Sequence, residues 1–210
     1  MPLKGMVSKA YGYAEITRIR EKVLSALQEN NKKTILIVSP RDNTGNTFLV
    51  AVLGYGIAYF NSLRVLVVDL NMRRPQLHLP FGLEMEKGFT EIATESINWK
   101  EAIKLTGLME LNVVTAGGLD ESLSFFLNRP ILKDMIHEME EDYDIVIIDS
   151  SPLLNQNRNN CDPVQLSLIC DLVLMVVGDK TTTKGQLKAA IDVVVRGGGT
   201  IDGIIYNQPI

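Results

Sequence analysis

The 210-residue chain lacks the features that several common functions require. Its two cysteines, Cys161 and Cys170, are too few and too unlike any ligand spacing for a disulfide framework or a metal site. They read as buried or inert thiols, small hydrophobes that pack. The two histidines, His78 and His137, have no metal-like partner near them in sequence and read as structural. Excess positive charge is missing too: 21 Lys and Arg against 25 Asp and Glu give a formal charge of −4, which argues against a nucleic-acid binder. No apolar run approaches the roughly 18 residues of a membrane span. The opening residues, MPLKGMVSKAYGYAEI, contain no apolar core of signal-peptide type. A cytoplasmic location is expected, with any membrane association made through a partner. Repeats, low-complexity tracts and linkers are absent as well, so residues 1–210 are expected to form a single domain.

What is present is a 46% hydrophobic content arranged in short blocks. TILIV (34–38), RVLVVD (64–69), LNVVTA (111–116), DIVIID (144–149), LVLMVV (172–177) and GIIYN (203–207) are runs of the kind that strands buried on both faces show. Helical stretches separate them at 46–61, 121–140 (with Pro130 starting a second helix), 163–169 and 183–195. An N-terminal helix over about 14–28 places Ile16, Ile19, Val23 and Leu27 at helical spacing. Trp99, the one tryptophan, opens a short helix as a packing anchor. Strands alternating with helices predict a three-layer α/β/α sandwich around a mostly parallel sheet of six or more strands.

One stretch, SPRDNTGNTFLV (39–50), lies where the first strand gives way to a helix. That is the place and length of a phosphate loop, G-x-x-x-x-G-K-[ST]. In such a loop backbone N–H groups cradle the phosphates, a lysine neutralises them and a hydroxyl ligates Mg²⁺. Aligned on Gly45, the chain has Pro40 at the first glycine, Asn46 at the lysine and Thr47 at the hydroxyl. By pattern alone the match is weak, because a strand-to-helix turn containing Asn, Thr and Gly is common. Asp149, at the end of an apolar strand, is placed to hold Mg²⁺ through water; a strand-ending Asp that caps a turn is the plain alternative.

Taken with RVLVVDLNMRRPQLH (64–78) and DYDIVIIDSSP (142–152), the loop resembles the cytoplasmic catalytic domains of bacterial tyrosine kinases. These act in capsule and exopolysaccharide synthesis and belong to the deviant-Walker P-loop ATPase superfamily. FGLEMEKGFTEIATE (81–95) and CDPVQLSLICDLVLMVV (161–177) extend the resemblance from about Glu15 to Gln208. It implies a P-loop NTPase-like fold and ATP or ADP with Mg²⁺ as cofactor. The implied partner is a membrane polysaccharide chain-length regulator, a homologous kinase or further copies of the chain. Carried over residue by residue, it assigns cofactor binding to Asn43, Thr44, Gly45, Asn46, Thr47, Phe48 and, beside the adenine, Asn207. The metal falls to Thr47 and Asp149, and catalysis, if the protein is active, to Asp69 and Asp149. Glu15, Arg18 and Arg20 in EITRIR match the family's oligomerisation helix.

The departures fall on the chemistry. Asn43 replaces a family glycine, Asn46 the lysine and Asn71 the second acid of a DAD motif; Gly45, Thr47, Asp69, Arg73, Arg74 and Asp149 are kept. Charge-assisted contacts are worth roughly 1.5–3 kcal/mol each, so an amide at position 46 should weaken nucleotide binding by ~10–100-fold. The transition state of phosphoryl transfer should suffer more, because preorganised cations meet its charge. Asn at position 43 tolerates positive φ less well than Gly. Asn71 forfeits a candidate base or metal partner. The family's C-terminal tyrosine cluster has no counterpart; the chain stops at IIYNQPI, with Tyr206 alone near the end. A catalytically degenerate relative with weak nucleotide affinity and no autophosphorylation is therefore expected. An active autokinase or ATPase with an unorthodox loop is the alternative.

Overall fold

A computed structural model describes residues 14–29, 31–94, 96–118, 129–155 and 161–208, with side chains described at all of these but 129–131. Seven strands form one sheet: β1 (Thr34–Val38), β2 (Val65–Leu70), β3 (Ile103–Leu105), β4 (Leu111–Val114), β5 (Ile145–Ser150), β6 (Leu172–Gly178) and β7 (Gly203–Asn207). Their order is β3-β4-β2-β5-β1-β6-β7. All neighbours pair in parallel except β3 with β4. The six runs of the sequence are six of these strands. β3, only three residues long, gives no periodic signal of its own.

The strands divide their side chains between two cores. Leu36, Val38, Leu66, Val68, Val146, Ile148, Val173 and Met175 enter one apolar cluster. Their alternating neighbours Ile35, Ile37, Val65, Val67, Ile145, Ile147, Leu172 and Leu174 enter the other. That two-sided burial explains runs with no polar alternation. A buried aliphatic side chain contributes about 1.5–3 kcal/mol, so the sheet is the main source of stability.

One face is covered by α1 (Ala14–Gln28) and α2 (Asn46–Asn61). α2 buries nine residues between the sheet and α1, as its almost wholly apolar sequence requires. At Gly54 an added Cβ would lie 2.7 Å from Val67 Cγ2, so glycine lets this helix approach β2 closely. The opposite face carries α4 (Phe89–Ala93), α5 (Arg129–Asp142), α6 (Pro163–Leu166) and α7 (Lys184–Arg196); α3 (His78–Phe81) follows β2. Pro130 falls in the first turn of α5, where its missing N–H does no harm; the first part of the helix expected over 121–140 lies outside the described residues. Thr183 caps α7 by accepting the Gln186 N–H, and Asp162 caps α6. Trp99 opens a 3₁₀ turn capped by Asn98 and is buried in the first cluster beside Tyr143.

Of the thiols, Cys161 is buried and Cys170 half-buried; burial pushes both up in pKa, consistent with inert sulfur. Among the described residues no helix is long and apolar enough to cross a membrane.

Candidate functional site

The sheet order places three segments side by side at the C-terminal ends of adjacent strands, where open α/β sheets bind ligands. β5 lies between β2 and β1, and its Asp149 pairs in register with Asp69 on one side and Ile37 on the other. The phosphate-loop candidate leaves β1 two residues beyond Ile37 and turns into α2 at Asn46.

The loop has the backbone shape its sequence only hinted at. Asn43 stands at φ 60° and Gly45 at φ 95°, two left-handed residues that fold the chain back toward the start of α2. α2 has no side-chain N-cap. The first N–H groups of a helix have no intrahelical partner, and Asn46, Thr47 and Phe48, which carry them here, line the cleft. Thr44 is buried, and its hydroxyl donates to Asn46 Oδ1 at 3.2 Å. The residue at the lysine position is thus turned into its own loop. From the far strand, Asn207 Nδ2 donates to the Thr44 carbonyl at 2.8 Å. That amide occupies the space a side chain at position 45 would need: an added Cβ would lie 2.2 Å from it.

Neighbouring loops complete the enclosure. The Leu153 and Leu154 N–H groups donate to the Ser39 and Pro40 carbonyls. Asn155 donates to Asp42 Oδ2 at 2.9 Å, and its carbonyl accepts from Arg73 Nη1 at 3.1 Å. The resulting cleft of about 290 Å³ is lined by Ser39, by residues 41–48, by Asn71, Arg74 and Gln76, and by Ser150 and Pro152.

Beneath it lie two buried carboxylates. Thr47 Oγ1 donates to Asp149 Oδ2 at 2.6 Å, while Asp149 Oδ1 is buried with no hydrogen-bond partner. Burial, then the charge of Asp69, raises Asp149 well above the usual carboxylate range; the Thr47 hydroxyl pulls it back in part. Burial likewise pushes Asp69 up to about 6, against the N–H groups of Leu77, Asn71 and Gln76 that stabilise its anion. The Thr47 hydroxyl beside an orphaned carboxylate oxygen suits Mg²⁺, which takes one or two protein oxygens and completes its shell with water and substrate phosphate. Among the described residues no cluster of three or more His, Cys, Asp or Glu offers an all-protein metal cage.

The structure brings together Asn43, Thr44, Gly45, Asn46, Thr47 and Phe48 at the cleft, with Asp149 under Thr47. Three other expected residues take different parts. Asn207 uses its amide N–H on the loop itself. Asp69 uses both carboxylate oxygens on the following turn, accepting the Asn71 N–H at 3.0 Å and the Leu77 N–H at 3.1 Å. Arg20 is buried: its guanidinium bonds Glu21 and lies 4.7 Å from the Phe60 ring centroid, whereas Glu15 and Arg18 are exposed. Sequence reasoning overlooked Arg41, although a cation inside the loop was visible in SPRDNTGNT, and Asn155, for which no sequence signal exists. Among the described residues, His78 and His137 belong to no group of three or more metal-ligating side chains; His137 Nδ1 lies 3.2 Å from Glu140.

Known proteins resemble the chain in sequence and in fold. The AAA domain family model matches residues 32–177. The putative tyrosine-protein kinase CapB of Staphylococcus aureus is 26% identical over 190 residues, 90% of this chain and 81% of CapB. Tyrosine-protein kinase ptk of Acinetobacter johnsonii is also 26% identical over 190 residues, but the chain spans only 25% of its length. Among solved structures, the kinase domain of Escherichia coli tyrosine kinase ETK matches with a TM-score of 0.84 at 22% identity, over 92% of this chain and 74% of that one. The septum site-determining protein MinD of Pyrococcus horikoshii, complexed with Mg-ADP, matches with a TM-score of 0.65 at 19% identity, over 83% and 68%. Both likenesses are likenesses of fold. With the matched span running from before the loop through both buried carboxylates to β6, the chain belongs to the AAA domain family, has a P-loop NTPase-like fold, and counts bacterial tyrosine-protein kinases among its relatives.

Proposed function

We propose that this chain is a tyrosine-kinase-like P-loop protein of exopolysaccharide or capsule synthesis whose grip on nucleotide is impaired. It acts through contact with a membrane chain-length regulator or with active homologues, on the cytoplasmic side, rather than by transferring phosphate. The observation that carries this reading is the residue at position 46. Where a phosphate loop presents a lysine ammonium, Asn46 presents an amide whose oxygen accepts the Thr44 hydroxyl. The phosphates then meet loop N–H groups and the helix terminus but no cation from the helix start. Asn71 adds to the loss by lining the cleft as an amide. The polysaccharide assignment is supported by the MRRPQLH segment, and the regulator by the exposed Glu15 and Arg18 on α1.

Mg²⁺, when bound with a nucleotide, would supply positive charge against that of the phosphates; Thr47 and Asp149 are the residues that would hold it. This chain's own part would be to cradle phosphate with loop N–H groups and to hold the Thr47 hydroxyl against the Asp149 carboxylate.

One observation favours a second reading, a working ATP-dependent autokinase with an unorthodox loop. Thr47 and Asp149 are intact and adjacent, and Asp149 Oδ1 lacks a partner, as a metal site ready for use would have it. Mass spectrometry of the protein incubated alone with ATP and Mg²⁺ separates the two. No phosphotyrosine is expected; phosphotyrosine that disappears in an Asp149→Asn variant would establish the second reading instead.

A further inference from the structure

We propose that Arg41 and Arg74 form a two-sided cationic clamp on the phosphate chain of a nucleotide in this cleft, supplying charge that Asn46 does not. The inference rests on the nucleotide-cleft reading above. Both arginines line the same cleft, Arg41 from the loop after β1 and Arg74 from the turn after β2. Both are exposed, and among the described residues neither guanidinium has an ion pair or a hydrogen bond. The other arginines near these elements are engaged: Arg64 with Asp144, Arg20 with Glu21 and Phe60, and Arg73 with the Asn155 carbonyl. Asp42 is the one acid among the lining residues, and the Asn155 amide bonds its carboxylate.

The backbone under each arginine is fixed. The Arg41 carbonyl accepts the Ser39 hydroxyl at 2.9 Å. The Arg74 N–H donates to Asn71 Oδ1 at 3.4 Å, and buried Asp69 ties the turn at both ends through Asn71 and Leu77. Asp69 is therefore a positioning residue for Arg74. A guanidinium presents a planar fork of donors that suits phosphate oxygens, so two of them reaching one cleft from separate loops match a diphosphate or triphosphate. The buried, unpartnered Asp149 oxygen beneath Thr47 independently marks the same place as one built for a charged ligand. Arginines at the mouth grip the ground state and do not follow a phosphoryl group in flight, so such a clamp allows occupancy without restoring transfer.

The test is calorimetric titration of MgADP and, separately, of inorganic tripolyphosphate into the full chain. The proteins are the parent, Arg41→Ala, Arg74→Ala, the double variant and Arg74→Lys. Both positions are exposed, so thermal melts should match the parent. Each single alanine should weaken both ligands about fivefold and the pair at least about tenfold, most clearly at low salt, while Arg74→Lys keeps most of the affinity. A double variant that binds like the parent overturns the clamp and leaves the impaired-nucleotide reading standing. So does a parent that binds neither ligand. If MgADP weakens while tripolyphosphate does not, the arginines hold the base and the clamp is wrong. Micromolar or tighter MgADP binding by the parent, lost on Thr47→Ala, would instead defeat the reading beneath it.

Discussion

Replacing Gly45 by alanine tests whether the loop is held open from β7. Gly45 sits at φ 95°, where a side chain strains the backbone by about 1–2 kcal/mol. The new methyl would also meet Asn207 Nδ2 at 2.2 Å and must push it off the Thr44 carbonyl. The lost hydrogen bond adds about 1 kcal/mol. Gly45→Ala should therefore destabilise the fold by about 2 kcal/mol, and Asn207→Ala alone by about 1 kcal/mol. The two losses share one bond, so the double variant should lose about 2 rather than 3 kcal/mol, a coupling of about 1 kcal/mol. Urea denaturation followed by circular dichroism measures all four proteins, provided the slopes agree. Additive costs, or a Gly45→Ala protein within about 0.5 kcal/mol of the parent, would refute the clamp of Asn207 on the loop.

Further outcomes follow from buried charge. Asp69 and Asp149 both lie above the ordinary carboxylate range in the folded protein, so the native state keeps protons that the unfolded chain has released. Their contribution is full below about pH 4 and is lost as pH rises, through about 6 for Asp69, with Asp149 shifted in the same direction. Asp149→Asn should consequently stabilise the protein at pH 8 by roughly 1–3 kcal/mol and flatten that part of the pH profile; an unchanged slope in denaturant titrations at pH 5 and 8 would contradict it. On α1, Arg18→Glu should leave stability within about 0.5 kcal/mol but weaken capture by a membrane regulator or homologue in a pull-down, whereas Arg20→Glu should cost about 2 kcal/mol by placing an acid against Glu21 and the Phe60 ring. Equal effects of the two reversals on melting would remove the distinction.

Much of the architecture is legible in the order of residues alone. Two-sided strands announce themselves as unbroken β-branched runs, and α2 is so apolar that burial is its only outcome. The one-turn helices α3 and α4 and the three-residue β3 escape because they are shorter than any period that would reveal them. Arg20 is the instructive miss. With Val23, Leu24 and Leu27 it occupies an i, i+3, i+4, i+7 stripe, so its position pointed inward even though its charge pointed outward. The loop's substitutions could be read directly, but the destination of its side chains could not. That Asn207 bonds the Thr44 carbonyl depends on strand order bringing residues 163 positions apart into contact, and that Asp69 ties down the 71–77 turn depends on how the chain folds back just after β2.

The central claim is that positions 43, 46 and 71 have weakened the loop's hold on nucleotide, and titration calorimetry of MgATP reads that hold directly. The parent should bind more weakly than micromolar. The Asn43→Gly, Asn46→Lys, Asn71→Asp triple variant should bind at least about tenfold more tightly, since the restored charge alone is worth roughly 1.5–3 kcal/mol. Micromolar or tighter binding by the parent, abolished by Thr47→Ala, would contradict the account, as would a folded triple variant that binds no better than the parent.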